Sequence, residues 1–263
     1  MTVQEALESA AIDAREARLL LAAATGFSQA SVVAYPDRVL PNEVQNRFRE
    51  FVARRSRGEP VAYILGRKEF YGLELAVNPA VLVPRPETEL LVELALQRDF
   101  ASALDLGTGS GAIALALKRH RPAARVLGVE ASAAALAVAK RNAAALALDV
   151  ELFHGQWFSP FHGLRFDLIV ANPPYVAEGD PHLAALAFEP PSALLAGPDG
   201  LKAIREIAAA APAYLASRGR LLIEHGQGQE PAVRSLLEEQ GLEEVRTWPD
   251  LAGIPRVTGG RLK

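Results

Sequence analysis

The chain has no cysteine. Disulfides, thiolate metal sites and cysteine nucleophiles are therefore excluded. It also lacks a long apolar run: the Ala-rich stretch after Ser132 is broken by Lys140, Arg141 and Asn142, short of the ~18 residues that span a bilayer. The first residues, MTVQEALESAAIDAREARLLL, carry acids early and no basic segment ahead of an apolar one, so a secretory signal is not expected. These two absences predict a cytoplasmic protein with no membrane partner. An excess of positive charge is missing as well. The net charge is -3, which argues against a large cationic surface and against stable nonspecific binding of nucleic acid. No internal repeat or low-complexity tract is present.

What remains is an ordinary folded composition, 50% hydrophobic and 22% charged over 263 residues. That length suits a small domain joined to a medium one. Residues 1–75 carry helical periodicity: Val3, Ala6, Leu7 and Ala10 recur at spacings of three and four, as do Ala14, Ala17, Leu20 and Leu21. A small all-helical domain is expected there. Between about 61 and 84 alternating apolar residues broken by Gly66, Gly72 and Pro79 predict short strands at 61–65, 70–73 and 80–83, a hairpin leading into a linker over 76–90. A helix is expected to begin near Pro86, with Glu87 and Glu89 in its first turn.

Residues 91–263 alternate strands with helices. Strands are expected at 103–106, 126–130, 150–154, 166–171, 220–225, 244–248 and 256–262. Helices are expected at 112–119, 132–146, 201–216 and 231–240. This pattern predicts an α/β fold with a mostly parallel seven-stranded sheet covered on both faces, ending in an antiparallel pair.

Asp105, Leu106, Gly107, Thr108, Gly109, Ser110 and Gly111 follow the first of these strands and open a helix. Glycines there let the backbone turn sharply and let a ligand approach without Cβ obstruction. The spacing matches neither the six-residue dinucleotide fingerprint nor a phosphate loop, so no phosphate is required of the ligand. Glu130 ends the next strand, where an acid accepts hydrogen bonds from ribose hydroxyls. Asp105 suits a ligand with a cationic amino acid portion. S-adenosylmethionine meets these demands, with no metal. Trp157 stands after the third strand, where an indole can stack on adenine or pack a loop, and Gln156 precedes it.

Asn172, Pro173, Pro174 and Tyr175 follow the fourth strand. An amide or exocyclic amino nitrogen is a poor nucleophile because its lone pair is delocalised. The Asn172 side-chain oxygen and a carbonyl of the proline pair can hold its two N–H bonds, aim the lone pair at a methyl sulfonium and stabilise the growing positive charge. Proline removes competing donors and stiffens the loop, and Tyr175 offers an aromatic wall. Alignment, rather than a strong base, would supply the rate.

At this point the chain resembles the bacterial release factor glutamine methyltransferases over nearly its whole length. The segments that carry the resemblance are Tyr63-Ile64-Leu65-Gly66, Phe70-Tyr71-Gly72-Leu73, Pro84-Arg85-Pro86-Glu87-Thr88-Glu89, the glycine loop, residues 172–175, Pro191-Ser192-Ala193-Leu194 and Asp199-Gly200-Leu201. The resemblance implies a Rossmann-like S-adenosylmethionine-dependent methyltransferase domain behind a helical substrate-binding domain. It implies cofactor contacts on residues 107–111, Glu130, Trp157 and Asn172, and glutamine contacts on residues 172–175, with Phe70 and Arg85 either bordering the site or serving core packing and a helix-start salt bridge. The implied partner is a class I release factor, methylated at the glutamine of its Gly-Gly-Gln loop. The family usually has Asp where this chain has Glu130, and often an acid where it has Gln156.

Two rival functions share some of these features. A nucleic acid amino-methyltransferase can use the same acceptor loop, but it needs a basic face. Residues 1–75 hold ten acidic and ten basic residues, so that segment is neutral overall; its cluster Arg47, Arg49, Arg54, Arg55 and Arg57 is either a contact for the release factor or a solvated helix face. A noncatalytic S-adenosylmethionine sensor would have no need of an acceptor loop.

Overall fold

A computed structural model describes residues 1–263. The chain divides into two compact units, Met1–Arg67 and Lys68–Lys263.

The first unit is helical: α1 (Val3–Glu8), α2 (Ala14–Thr25), α3 (Gln29–Ala34), α4 (Asn42–Ser56) and α5 (Val61–Leu65). Thr2 and Glu5 form a reciprocal capping box at the start of α1, and the Asp13 carboxylate accepts from the Arg15 and Glu16 amides at the start of α2. The apolar stripes of these helices meet in a core that includes Leu20, Leu21, Val32, Phe48 and Ile64. The arginines of α4 are largely tied down within the unit. Arg54 pairs with Glu59, Arg55 with Glu16 at 2.7 Å, and Arg47 with Glu43 at 3.6 Å. Arg49 bonds only the neutral Asn46 and Gln45 side chains.

Segment 61–65, expected as a strand, is helix α5. Pro60 precedes it and its carbonyl accepts from the Tyr63 and Ile64 amides, while Gly66 ends it in the left-handed region at φ 71°. Five apolar residues have too little pattern to separate strand from helix. The bracketing Pro and Gly decide, because they are start and stop signals of a helix.

A hairpin of β1 (Arg67–Phe70) and β2 (Leu73–Ala76) comes next. Its turn residues Tyr71 and Gly72 both have positive φ, 49° and 75°, as a tight two-residue connection requires. Segment 80–83 is not a strand. The Ala80 amide donates to the Asn78 side chain, Val81 to the Asn78 carbonyl and Val83 to the Glu189 carboxylate, so these donors go to a local turn and a distant side chain rather than to a ladder. A 3-10 turn (Pro86–Thr88) then leads into α6 (Glu89–Leu96).

The main sheet contains β3 (Ser102–Leu106), β4 (Arg125–Glu130), β5 (Glu151–His154), β6 (Phe166–Ala171), β7 (Leu215–Glu224), β8 (Glu243–Pro249) and β9 (Pro255–Arg261). Their order is β5-β4-β3-β6-β7-β9-β8, parallel from β5 to β7, with β9 antiparallel to both neighbours. Between the strands lie α7 (Ala112–His120), α8 (Ala133–Ala145), α9 (Lys202–Tyr214) and α10 (Glu230–Glu239). Successive side chains on a strand point to opposite faces, and the burial follows that rule. Leu168 and Val170 of β6 join a core with α6 and α7, while Ile169 and Ala171 join another with α9 and α10. The chain runs outward from β3 to β5, then crosses to β6 on the other side of β3. At that reversal the crossovers diverge and leave a crevice at the carboxyl ends of β3 and β6.

Candidate active site

The crevice is a cavity of about 430 Å³. This is within the range of sites that enclose a small organic ligand. Its floor is the loop after β3. Gly107, Gly109 and Gly111 all take positive φ, 72°, 55° and 87°, which side chains disfavour. Gly111 also has no room for a Cβ, which would lie 2.9 Å from Leu115 and 3.4 Å from Ala139, so α7 can pack closely on α8. Gly107 and Thr108 donate their amides to the Val129 carbonyl, and Gly109 donates to Glu130 Oε2 at 2.9 Å. Glu130 Oε1 accepts from the Ser132 amide at 2.8 Å. The carboxylate is thus held by the loop and by the start of α8, and each oxygen keeps a lone pair for a hydroxyl donor.

Asp105 lies beneath this loop, fully buried, and does not line the cavity. Its Oδ2 accepts from the Thr108 hydroxyl at 2.6 Å and the Ala114 amide at 3.2 Å, while Oδ1 has no partner. Burial pushes its pKa up to about 7, and the nearby Glu130 charge adds to the shift. The structure gives Asp105 the task of bracing the loop rather than facing a ligand.

Gln156 and Trp157 also line the cavity. The indole N–H donates to Glu206 Oε2 at 2.8 Å, and the Gln156 amide donates to the same oxygen at 3.5 Å. Glu206, on α9, carries no motif in the sequence. A Cβ on Gly107 would lie 3.5 Å from the Trp157 ring, which shows how closely the indole covers the glycine loop.

Asn172 and Pro174 line the cavity near the end of β6, whereas Pro173 and Tyr175 do not. The Asn172 Nδ2 donates to Thr88 Oγ1 at 3.0 Å, which leaves the Asn172 Oδ1 as its spare acceptor. Tyr175 packs into the core below α9 and α10, and burial pushes its phenol up to about 12, with the Glu224 charge adding to the effect. It stays protonated and is no base at neutral pH. The Tyr175 carbonyl accepts from Gln229 Nε2 at 3.0 Å, and a Cβ on Gly200 would overlap that carbonyl. The loop is stitched from behind by its backbone.

Arg85 also lines the cavity and pairs with the buried Glu189, whose Oε2 accepts from the Val83 amide at 3.0 Å. Phe70 is placed elsewhere. It is 1% exposed in the core beside α6 and α7, because it is the inward position at the end of β1. It does not line the cavity.

Glu224, at the end of β7, lies behind Asn172 and is 1% exposed. Burial pushes its carboxyl up to about 7. The nearby Thr88 side chain, the Arg256 charge and the Asn172 side chain oppose that shift. The sequence offered one signal for it, an acid ending an apolar strand. No group of three or more His, Asp or Glu side chains stands close enough to hold a metal ion, and no helix is long and apolar enough to cross a membrane.

The cavity is therefore lined by a carboxylate with free lone pairs, an indole and the acceptor oxygen of an amide. Arg85 borders it, and the glycine loop lacks the spacing of a phosphate cradle. These residues fit an adenosine carrying a sulfonium amino acid. When bound, that group supplies an electrophilic methyl.

Residues 2–66 match the PrmC N-terminal domain family, and residues 86–196 match the methyltransferase small domain family. A Pseudomonas aeruginosa protein named release factor glutamine methyltransferase is 50% identical over 252 residues, covering 94% of this chain and 91% of its own. A Burkholderia pseudomallei protein of the same name is 47% identical over 274 residues, covering 99% and 96%. Among solved structures, the Thermus thermophilus 16S rRNA N2 G1207 methyltransferase, in complex with AdoMet and guanosine, superposes with a TM-score of 0.56 at 26% identity, over 75% of this chain and 50% of that one. A Pyrococcus furiosus methyltransferase shares the fold, with a TM-score of 0.59 at 18% identity over 80% and 96%.

Proposed function

The chain belongs to the release factor glutamine methyltransferases, and on that premise we propose that it methylates the glutamine of the Gly-Gly-Gln motif in class I release factors. S-adenosylmethionine is the methyl donor, and the product is N5-methylglutamine. The observation that carries this reading is the state of Asn172. Its amide nitrogen is already engaged by Thr88, so the atom left over is a hydrogen-bond acceptor at the cavity wall. An acceptor there suits a primary amide, which brings two N–H donors.

The residues divide the work. Glu130 holds the ribose hydroxyls of the donor, Trp157 covers its adenine and Gln156 accepts from the adenine amino group. The loop of residues 107–111 lets the amino acid portion approach. Asn172 Oδ1 and a backbone carbonyl of the proline pair hold the two acceptor N–H bonds, so the lone pair is aimed at the methyl carbon. As the nitrogen becomes positive those same oxygens stabilise it. Tyr175 stiffens the loop from the core. Arg85 borders the acceptor end. A protein of the translation machinery as substrate accords with a cytoplasmic location.

A nucleic acid acceptor is the rival. The internal pairing of the α4 arginines and the net charge of -3 favour the protein substrate. Incubation of the full chain with labelled S-adenosylmethionine and, in parallel, intact release factor, ribosomal RNA and DNA tests the choice by mass spectrometry. Label on the Gly-Gly-Gln glutamine is expected. Label on RNA or DNA with release factor left unmodified would overturn the assignment.

A further inference from the structure

An asparagine amide has nearly the same shape at both ends. Rotation by 180° about χ2 exchanges oxygen for NH₂ at little steric cost. For holding an amide acceptor only one orientation works, because a turned Asn172 would present N–H groups to N–H groups. Something must therefore select the orientation.

We propose that Thr88 and Glu224 are positioning residues that lock the Asn172 amide with Oδ1 toward the acceptor nitrogen. Asn172 Nδ2 donates to Thr88 Oγ1 at 3.0 Å, and the buried Glu224 carboxylate lies close enough to both side chains that their polar hydrogens favour its charged form. An ionised carboxylate can only accept. The Thr88 hydroxyl proton is then committed to Glu224, and the oxygen of that hydroxyl is left to accept from Asn172. A turned amide would set Oδ1 against the Thr88 oxygen and the carboxylate, acceptor against acceptor. Thr88 is 4% exposed and Glu224 1%, so no bulk water relieves that clash. The same chain of hydrogen bonds draws electron density onto Oδ1, the atom that must stabilise positive charge on the methylated nitrogen.

The arrangement is costly for folding. Glu224 Oε2 has no hydrogen-bond partner, an expense that a structural carboxylate would avoid. The charged groups facing it are Arg256 of β9, itself bonded to Asp250 at 3.0 Å, and Glu87 of the turn before α6, with the Tyr175 phenol also close by. Burial outweighs Arg256 and places the titration of Glu224 at about 7. Protonation reverses the donor order. The carboxyl would donate to Thr88, the Thr88 proton would turn to Asn172, and the amide would lose its reason to face the cavity with oxygen.

The inference rests on the acceptor-amide reading above. Its test uses the full chain with intact release factor and three variants, Glu224→Gln, Thr88→Val and Thr88→Ser. Glu224→Gln is expected to lower kcat by at least about tenfold, on the scale of losing part of an oriented electrostatic contact. The Kd for S-adenosylmethionine and the KM for release factor should stay within about twofold, since neither residue supplies most of either contact. The wild type should lose kcat as pH falls through about 7 at saturating substrates, and the variant should show no such limb. Thr88→Val should fall like Glu224→Gln, and Thr88→Ser should be restored to within a few-fold, because it keeps the hydroxyl. A folded Glu224→Gln with wild-type kcat and pH profile overturns the inference, as does a Thr88→Ser as impaired as Thr88→Val. Should Glu224→Gln fail to fold, the Thr88 pair decides alone. A wild type inert on release factor overturns both this inference and the substrate reading; an active wild type with an equally active Glu224→Gln overturns this inference only.

Discussion

The indole nitrogen of Trp157 donates to Glu206 at 2.8 Å, across 49 residues of sequence, and so pins the loop after β5 to α9. The indole edge is held from outside while its face covers the glycine loop. Trp157 itself sits at φ 47°, a conformation that a non-glycine residue holds only when its surroundings insist. Glu206→Ala should free the indole and weaken S-adenosylmethionine binding by about fivefold to tenfold, the worth of roughly one charge-assisted hydrogen bond. At saturating cofactor kcat should be little changed. Titration calorimetry with steady-state kinetics checks both halves, and an unchanged Kd would remove Glu206 from the cofactor wall.

Gly109 is placed at φ 55°, and a Cβ there would meet no atom closer than 3.9 Å. The space around it belongs to the cavity. Gly109→Val should fill that space and strain the turn, weakening cofactor binding by well over tenfold in a folded protein. Calorimetry on a variant with wild-type circular dichroism reads the result; undiminished affinity would mean that the loop does not contact the ligand.

Asn172→Ala separates binding from chemistry. It should depress methyl transfer by at least ~10²-fold, as loss of an oriented electrostatic contact does. Cofactor affinity should fall much less, since Glu130, Trp157 and the glycine loop remain. Single-turnover rates give the first quantity and calorimetry the second. Turnover within a few-fold of wild type would refute the role given to this side chain.

Arg85 and Glu189 join the segment before α6 to the segment after residue 175. Arg85→Ala leaves a buried carboxylate with only the Val83 amide, and should destabilise the fold by about 1–3 kcal/mol. Because Arg85 also lines the cavity, KM for release factor should rise more than kcat falls. Denaturant unfolding and steady-state kinetics measure the two effects, and a variant with unaltered midpoint and KM would contradict them.

Asp105 has a folded-state pKa of about 7 against an ordinary value of 3.8. A carboxyl whose pKa is raised by folding binds a proton more tightly when folded. Its contribution to stability is therefore lost as pH rises from about 4 to about 7, and is constant above that range. Asp105→Asn should show a shallower loss of stability over the same interval than the wild type. Urea melts at several pH values decide it, with parallel curves for the two proteins as the contrary result.

Much of the site is legible in the amino-acid order. Gly107, Trp157 and Asn172 stand just after strands of recognisable period and Glu130 ends one, and parallel strands deliver their carboxyl ends to one edge. Two local expectations fail. Segment 61–65 is a helix because Pro60 and Gly66 outweigh a short apolar run, and segment 80–83 is irregular because its amides find Asn78 and Glu189. Asp105, expected to face the ligand, is buried away from the cavity, and of the two readings of Phe70 the structure shows core packing. Proximity to a motif in the chain does not say which way a side chain points.

The alternation of strands and helices, the two faces of the sheet, and the order in which the glycine loop, the acid, the tryptophan and the Asn-Pro-Pro-Tyr loop arrive are all written in the amino-acid order. Each of these depends on local physics: the period of two in a strand, the positive φ open to glycine, the missing donor of proline. That Thr88 and Glu224 gather beside Asn172, that Glu206 holds Trp157 and that Glu189 holds Arg85 follows from packing alone. Those partners lie tens of residues apart, mostly in loops and turns, and meet only once the sheet and its covering helices have formed. A buried carboxylate reveals its partner only once packing has excluded water and left one donor within reach.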